Sequence, residues 1–414
     1  MSDNKGVSIP KSIKDLVKRL RNYPYKYYFT DDELKKYGFK EKIEWPDKPI
    51  IFASKGEGIL SVMAFGGCIG SINVYDDKWN GFDIEEVKSF ADYLEPNKSD
   101  QDYYSNEHDA VFYLPESLLE VEAYKNNRKK NIEDLLFDKK GIANSAVALL
   151  NNSTYLDLMI CAAYIRFMRR SKDRLYDVSE RSMQSIISRI NMDNEQKQDI
   201  CWLDVEYKFE IIRDGKRKKP SVDFVVFDKN DESFGLIEFK YQGQSMDDGT
   251  KNSLYNHLID FQIMTNEDTN RLKILNELFK YSRVLKELRI IDNKTFIKIE
   301  NLQKQQSKGK LWCGFLFVDH KAKNTNRNHI PMIMEDRIIY DCCKQICEKK
   351  YKDKFTTEFL QNVRFQHIDF TGVNECKIQM NDKLCCIINS NINRINKKLS
   401  LNLDIQQYSI KCSH

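Results

Sequence analysis

The chain has 414 residues, 41% of them hydrophobic and 12% aromatic, which suffices for two or three domains with a substantial core and excludes a disordered chain. The formal net charge is only +4, so any contact with nucleic acid would depend on local basic clusters and not on an overall basic field. No run approaches the roughly eighteen consecutive apolar residues of a membrane helix, no apolar signal segment follows MSDNKGVSIPKS, and the eleven cysteines are an odd number in a large chain, so a soluble protein of a reducing cytoplasm with no membrane partner is expected.

Residues 1–170 read as an N-terminal α+β region. Pro10 to Arg21 has the pattern of a short amphipathic helix, and a second helix is expected near Asp31 to Tyr37. Ile50 to Val74 is apolar and punctuated by Gly56, Gly58, Gly66, Gly67 and Gly70, which predicts short strands joined by tight turns. These glycines do not form a phosphate loop, because no Gly-Lys-Ser/Thr follows them. Ile84 to Leu94 and Pro115 to Tyr124 read as helices, Lys125 to Lys130 as a solvated basic loop, and Ala143 to Met168 as a core helix pair broken at Asn151-Asn152. No chemistry attaches to this region, and a scaffold, recognition or oligomerisation role is expected.

Ser179 caps the next helix, in which Met183, Ile186, Ile187 and Ile190 form the apolar stripe and Glu180 sits in the first turn. Three antiparallel strands follow. The first, Leu203 to Ile212, alternates Asp204, Glu206, Lys208 and Glu210 with Val205, Tyr207, Phe209 and Ile211. Asp214-Gly215 supplies the residue pair of a tight hairpin turn, in which both central positions need positive φ. Pairing residues whose numbers sum to 429 then sets Glu206 opposite Asp223 in the second strand, Ser221 to Phe227. The polar turn Lys229 to Glu232 implies a second register summing to 461, which sets Asp223 opposite Glu238 in the third strand, Phe234 to Tyr241. Opposed side chains on one sheet face lie about 5 Å apart, and like charges that close are destabilising without a counter-charge, which a divalent cation would supply. Period-two geometry adds Lys240 to the face of Glu238. Hard oxygen ligands beside a lysine that can orient or deprotonate water are what metal-dependent phosphodiester hydrolysis requires. A surface sheet with ordinary cross-strand ion pairs is the structural alternative.

Asp223 followed across a hairpin by Glu238-Phe239-Lys240, with helices on either side, resembles the PD-(D/E)xK nuclease superfamily, although Val222 stands where the family has proline and Pro220 lies nearby. The resemblance covers roughly residues 175–320. It implies a restriction-endonuclease-like α/β core of order α-β-β-β-α-β with a mixed sheet, spanning 171–330; residues 331–414 read as a C-terminal α/β extension. It further implies Mg²⁺ (or Mn²⁺) as cofactor, Asp223 and Glu238 as ligands, Lys240 as the catalytic lysine, and Glu206 or Glu180 as an accessory ligand. Members of the superfamily often serve in restriction or in defence against phage and mobile elements. The expected activity is a nuclease acting on DNA in preference to RNA; an RNase of the same fold, or a nucleic-acid-binding scaffold without turnover, is the alternative. A homo-oligomer or a partner protein is compatible with either.

The hairpin tip concentrates Arg213, Lys216, Arg217, Lys218 and Lys219, either to grip phosphates or as a solvated turn. Gln242, two residues beyond Lys240, shares its face and could touch water or the scissile phosphate. A long helix is expected from about Asn252 to Leu288 with a break near Thr265 to Asp268; His257, near its start, reads first as a structural histidine. Leu311 to Val318 fits a buried fourth strand, Pro331 to Glu348 a helix, Val363 to Phe370 a strand, and Lys383 to Leu399 a terminal helix. Cys342, Cys343, Cys347, Cys376, Cys385 and Cys386 lack the Cys-x2-Cys spacing of zinc knuckles and are expected to be buried thiols.

Overall fold

A computed structural model describes residues 8–24, 29–32, 45–81 except 57, 111–113, 129–131, 145–168 except 152, 180–193, 198–241 except 214, 254–304, 310–320, 355–370, 378–387 and 397. The chain divides into two units, Met1–Ile190 with Glu287–Ile290, and Asn191–Lys286 with Ile291–His414. Among the described residues no helix is long and apolar enough to cross a membrane.

The first unit opens with helix α1 (Lys11–Arg21), which buries Ile13, Leu16, Val17 and Leu20 on one side, as their spacing dictates. Strands β1 (Ile50–Ser54), β2 (Ile59–Ala64), β3 (Gly67–Asn73) and β4 (Lys78–Gly81) form an antiparallel meander. Phe65 and Gly66, at φ 54° and 92°, make the two-residue turn between β2 and β3. A Cβ on Gly66 would lie 2.4 Å from the backbone carbon of Arg181, so glycine is required both by φ and by close approach. Short strands β5 (Val111–Tyr113) and β6 (Lys129–Asn131) pair with each other, so the segment expected to be a solvated loop is partly a strand. Helices α2 (Ala146–Asn151) and α3 (Ser153–Met168) break where Asn151-Asn152 predicts, and α4 (Glu180–Asp193) follows. The helices expected at Ile84 to Leu94 and Pro115 to Tyr124 lie outside the described residues, as does most of Asp31 to Tyr37.

The second unit is mixed α/β. Strands β7 (Ile200–Lys208), β10 (Ser221–Asp228), β11 (Ser233–Tyr241), β12 (Leu311–His320), β13 (Val363–Phe370) and β14 (Asp382–Lys383) form one mixed sheet of order β14-β13-β12-β11-β10-β7. β7, β10 and β11 are joined antiparallel, whereas β11, β12 and β13 run parallel. Between β7 and β10 the chain rises into a separate ribbon, β8 (Ile211–Arg213) and β9 (Lys216–Lys218). The first strand was expected to continue to Ile212; it stops at Lys208 because Phe209 faces Pro220, whose carbonyl accepts from Phe209 N at 3.1 Å but whose ring nitrogen has no hydrogen to return.

Helices α5 (Leu254–Asn266) and α6 (Asp268–Glu287) occupy the span and break predicted for them. They cover one face of the sheet: Phe279 meets Phe234, which meets Phe227, and Phe261 meets Phe315, at centroid separations of 5.5, 5.3 and 5.6 Å. By alternation along β10 and β11, this is also the face of Asp223, Glu238 and Lys240. On the opposite face Gly235 leaves room for Trp312, whose ring would lie 2.2 Å from an added Cβ; the Arg364 guanidinium covers the indole at 4.1 Å and is fixed by Asp228 and Asp231, each at 2.6 Å.

Helix α7 (Asn293–Lys304) was not expected; Asp292 caps it by accepting from Thr295 N at 2.6 Å, and Phe296, Ile299 and Leu302 are its buried positions. Helix α8 (Thr357–Asn362), capped by Thr356, also went unanticipated. Lys383 ends β14, and residues 384–387 directly after it are helical, where the terminal helix was expected to begin; most of the rest of that span lies outside the described residues. The Pro331 to Glu348 segment, Cys342, Cys343, Cys347 and Cys376 lie outside the described residues. Cys386 is a free thiol but only half-buried, and Cys385 is in a disulfide, which corrects the expectation of buried thiols for both: the absent knuckle spacing spoke against zinc and said nothing of burial or oxidation.

Candidate active site

Both registers read from the turns are present. β8 and β9 pair Ile212 with Arg217, β7 and β10 pair Tyr207 with Val222 and Val205 with Phe224, and the numbers sum to 429 in each case. Beyond Val225 the register slips by one at a bulge, away from the acids. β10 and β11 pair Phe224 with Ile237, a sum of 461, so the next positions outward are Asp223 and Glu238. There Phe239 N donates to Asp223 Oδ2 at 2.6 Å. The side chain thus takes a ladder hydrogen bond that a carbonyl would otherwise accept, and this fixes the carboxyl beside Glu238.

Glu238 and Lys240 are only 6% and 7% exposed, so the surface ion-pair alternative does not describe them. Lys240 Nζ donates to Glu238 Oε1 at 2.7 Å. His257, delivered by the first turn of α5, brings Nε2 to 3.0 Å from the same oxygen and 3.5 Å from Lys240 Nζ. Ionised groups this deep require close partners. Burial pushes the Glu238 carboxyl up, but Lys240 and His257 outweigh it and hold the pKa below the ordinary carboxylate value. Asp223 is only half-buried by exposed area, yet it is packed densely enough that desolvation, followed by the charge of Glu238, holds its pKa well above the ordinary value; the Phe239 hydrogen bond and Lys240 only partly offset this. The two acids are therefore driven apart in proton affinity.

Glu206 stands opposite Asp223 in register and adds a weaker upward push on its pKa. Its φ of 53° departs from extended strand geometry, however, and among the described residues no group of three His, Cys, Asp or Glu side chains gathers closely enough to hold a metal ion. The three carboxylates are thus not drawn together into a closed metal cluster, although the Glu206 charge is felt at Asp223. Glu180 is the first residue of α4, in the first unit. Gln242 and Asp214 lie outside the described residues.

The basic ribbon is fixed to the helices that cover the site face. The buried Asn270 accepts from Ile212 N at 3.2 Å and donates to Ile212 O at 3.3 Å, acting as a surrogate strand neighbour. Arg213 pairs with Asp260 at 2.6 Å, and Lys273 with Glu210 at 2.9 Å. Lys216, Arg217, Lys218 and Lys219 are exposed. His257, Asn270 and Asp260 were missed or discounted in the sequence because their partners are far along the chain; only the placement of His257 one turn into the helix after the lysine strand offered a signal.

No family model, curated protein or solved structure matches the chain.

Proposed function

We propose that the chain is a metal-dependent nuclease of the PD-(D/E)xK type, with a restriction-endonuclease-like core, that hydrolyses phosphodiester bonds of DNA in preference to RNA. The observation that carries this reading is half-buried Asp223 beside the buried pair Glu238 and Lys240 at a strand end, where Lys240 and Glu238 lie 2.7 Å apart. A fold gains little from such a cluster, since apolar residues of similar volume would serve stability as well or better.

Mg²⁺ or Mn²⁺ fits the donor set: Mg²⁺ is commonly held by one or two carboxylates, completed by waters and substrate phosphate, so Asp223 and Glu238 suffice as its ligands. A cation there would also relieve the charge conflict that raises the Asp223 pKa. When bound, the ion supplies an activated water and charge stabilisation at the phosphate. Lys240 then orients the attacking water and donates to a phosphate oxygen, in place of its bond to Glu238 Oε1. His257 remains a donor to that oxygen and keeps the carboxylate aimed. The basic ribbon holds the phosphate backbone alongside. A role in restriction or in defence against mobile elements is the biological setting this chemistry suits.

The test is cleavage of plasmid, linear duplex, single-stranded DNA and RNA with Mg²⁺, Mn²⁺ or EDTA. DNA cleavage that needs the metal and disappears in Asp223→Ala is expected. Absence of cleavage on every substrate, or cleavage that persists in EDTA, would overturn the reading.

A further inference from the structure

The geometry points to the β8–β9 ribbon as an arm that enters the major groove of B-form duplex DNA, with Ile212 and Arg217 on the inserted face. This inference rests on the nuclease reading for its biological sense, but the binding it describes is independent of turnover. Alternation divides the ribbon into two faces. Ile211, Lys218, Arg213 and Lys216 share one, which β8 directs toward the protein, since Ile211 is buried and Arg213 is held by Asp260 at 2.6 Å. Ile212 and its partner Arg217 share the other, and Ile212 is 54% exposed, one of the few large apolar side chains left in solvent among the described residues.

A solvated turn would not need rigid mounting. Here the Asn270 carboxamide holds both backbone groups of Ile212 and is itself fixed through Glu267 at 2.8 Å, while Lys273 ties down Glu210 at the ribbon's base. Ordering such a ribbon in advance removes a cost that binding would otherwise carry. The side chains of Lys216, Arg217, Lys218 and Lys219 are exposed, with Glu210 near enough to feel the charges of Arg217 and Lys219, so four cations on three strand positions and their flank are presented to a polyanion.

The shape of the arm selects among polyanions. A two-stranded ribbon fits the B-form major groove, about 12 Å wide, where an aliphatic side chain can meet a thymine methyl and an arginine can reach a guanine edge. The major groove of A-form RNA is too deep and narrow to admit it. Single strands are bound by aromatic platforms on which bases stack, and no aromatic residue stands between Ile211 and Ser221. Duplex DNA is the partner these features share.

Fluorescence anisotropy in EDTA, with the full chain and one base sequence prepared as duplex DNA, duplex RNA and single-stranded DNA, tests this without cleavage. Duplex DNA should bind at least about tenfold tighter than either of the others, because only its major groove admits the ribbon. Replacing Lys216, Arg217, Lys218 and Lys219 with glutamine should reduce the slope of log affinity against log salt by about 2.7, at about 0.9 for each of the three lysines on phosphate, Arg217 being turned to the bases. Ile212→Ser, at an exposed position that the fold does not need, should weaken duplex DNA binding about fivefold or more and leave the salt slope unchanged. Equal or tighter binding of RNA or single strands, or an unaltered slope in the fourfold variant, overturns the inference. Ribbon-dependent duplex binding without cleavage in Mg²⁺ would sink the nuclease reading and leave the arm; metal-dependent cleavage indifferent to the ribbon would do the reverse.

Discussion

Replacing Asp223 with asparagine should make the metal-free protein more stable. The amide oxygen can still accept from Phe239 N, which the carboxylate does at 2.6 Å, so the change removes charge and little else. Two unit charges about 5 Å apart repel by about 3 kcal/mol at an effective dielectric of about 20. Lys240 already offsets part of this, and Asp223 escapes part of it by binding a proton, so a net gain of about 1–3 kcal/mol is expected. For a unit of this size that is an upward shift of roughly 3–10 °C in the unfolding midpoint. The folded pKa of Asp223 lies above that of the unfolded chain, about 3.9. The penalty is therefore absent below about pH 4, grows as pH rises, and levels off once the folded pKa is passed. Thermal unfolding in EDTA across that window, wild type against variant, measures it. Excess Mg²⁺ should stabilise the wild type by mass action and leave the variant nearly unmoved. An Asp223→Asn protein less stable than wild type in EDTA would refute the reasoning, because Asp223 would then be a structural acceptor and not a charge awaiting a cation.

Lys240→Met keeps the apolar stem but strips Glu238 of its 2.7 Å partner; it should slow cleavage by about 10² to 10⁴ while substrate binding persists, and destabilise the EDTA-treated protein by about 3–5 kcal/mol, the opposite sign to Asp223→Asn. Single-turnover kinetics and urea unfolding check the two parts. Gly235→Ala drives a methyl into the ring of Trp312 and should cost about 1–3 kcal/mol in the same unfolding assay, with no change in metal affinity. Asn270→Ala frees both backbone groups of Ile212, so trypsin should cut at Lys216 to Lys218 faster than in wild type while the rest of the chain resists as before.

The geometry of Asp223 and Glu238 was legible because two turns with strong residue signatures, one at Gly215 with φ 70° and one at Lys229 to Glu232, set the pairing by arithmetic alone. The split of the long first strand was not read, although Pro220 carried the reason in its missing hydrogen. Glu206 shows the limit of alternation as a guide: a left-handed backbone inside a strand is not announced by anything in the local sequence. His257 was discounted because a helix residue's partners depend on how the helix docks, which periodicity does not encode. Helix α7 had readable signals in the Asp292 cap and the Phe296, Ile299, Leu302 spacing, and was overlooked beside the longer helices before it.

The two strands that bear Asp223 and Glu238 are neighbours along the chain as well as in the sheet, joined by a short turn after Asp228. Their pairing closes a small loop at little entropic cost, whereas β12 must find β11, and β13 must find β12, across sequence separations of tens of residues. The antiparallel hairpins therefore assemble early on the folding route and the parallel half late. Lys240 arrives with its own strand, but His257 comes only when α5 docks, so the repelling acids must meet before half of their counterweight is in place. That repulsion falls on the folding barrier. Asp223→Asn should accordingly speed refolding while barely changing the unfolding rate, and a protein that must place its acids first folds more slowly for the sake of what those acids do.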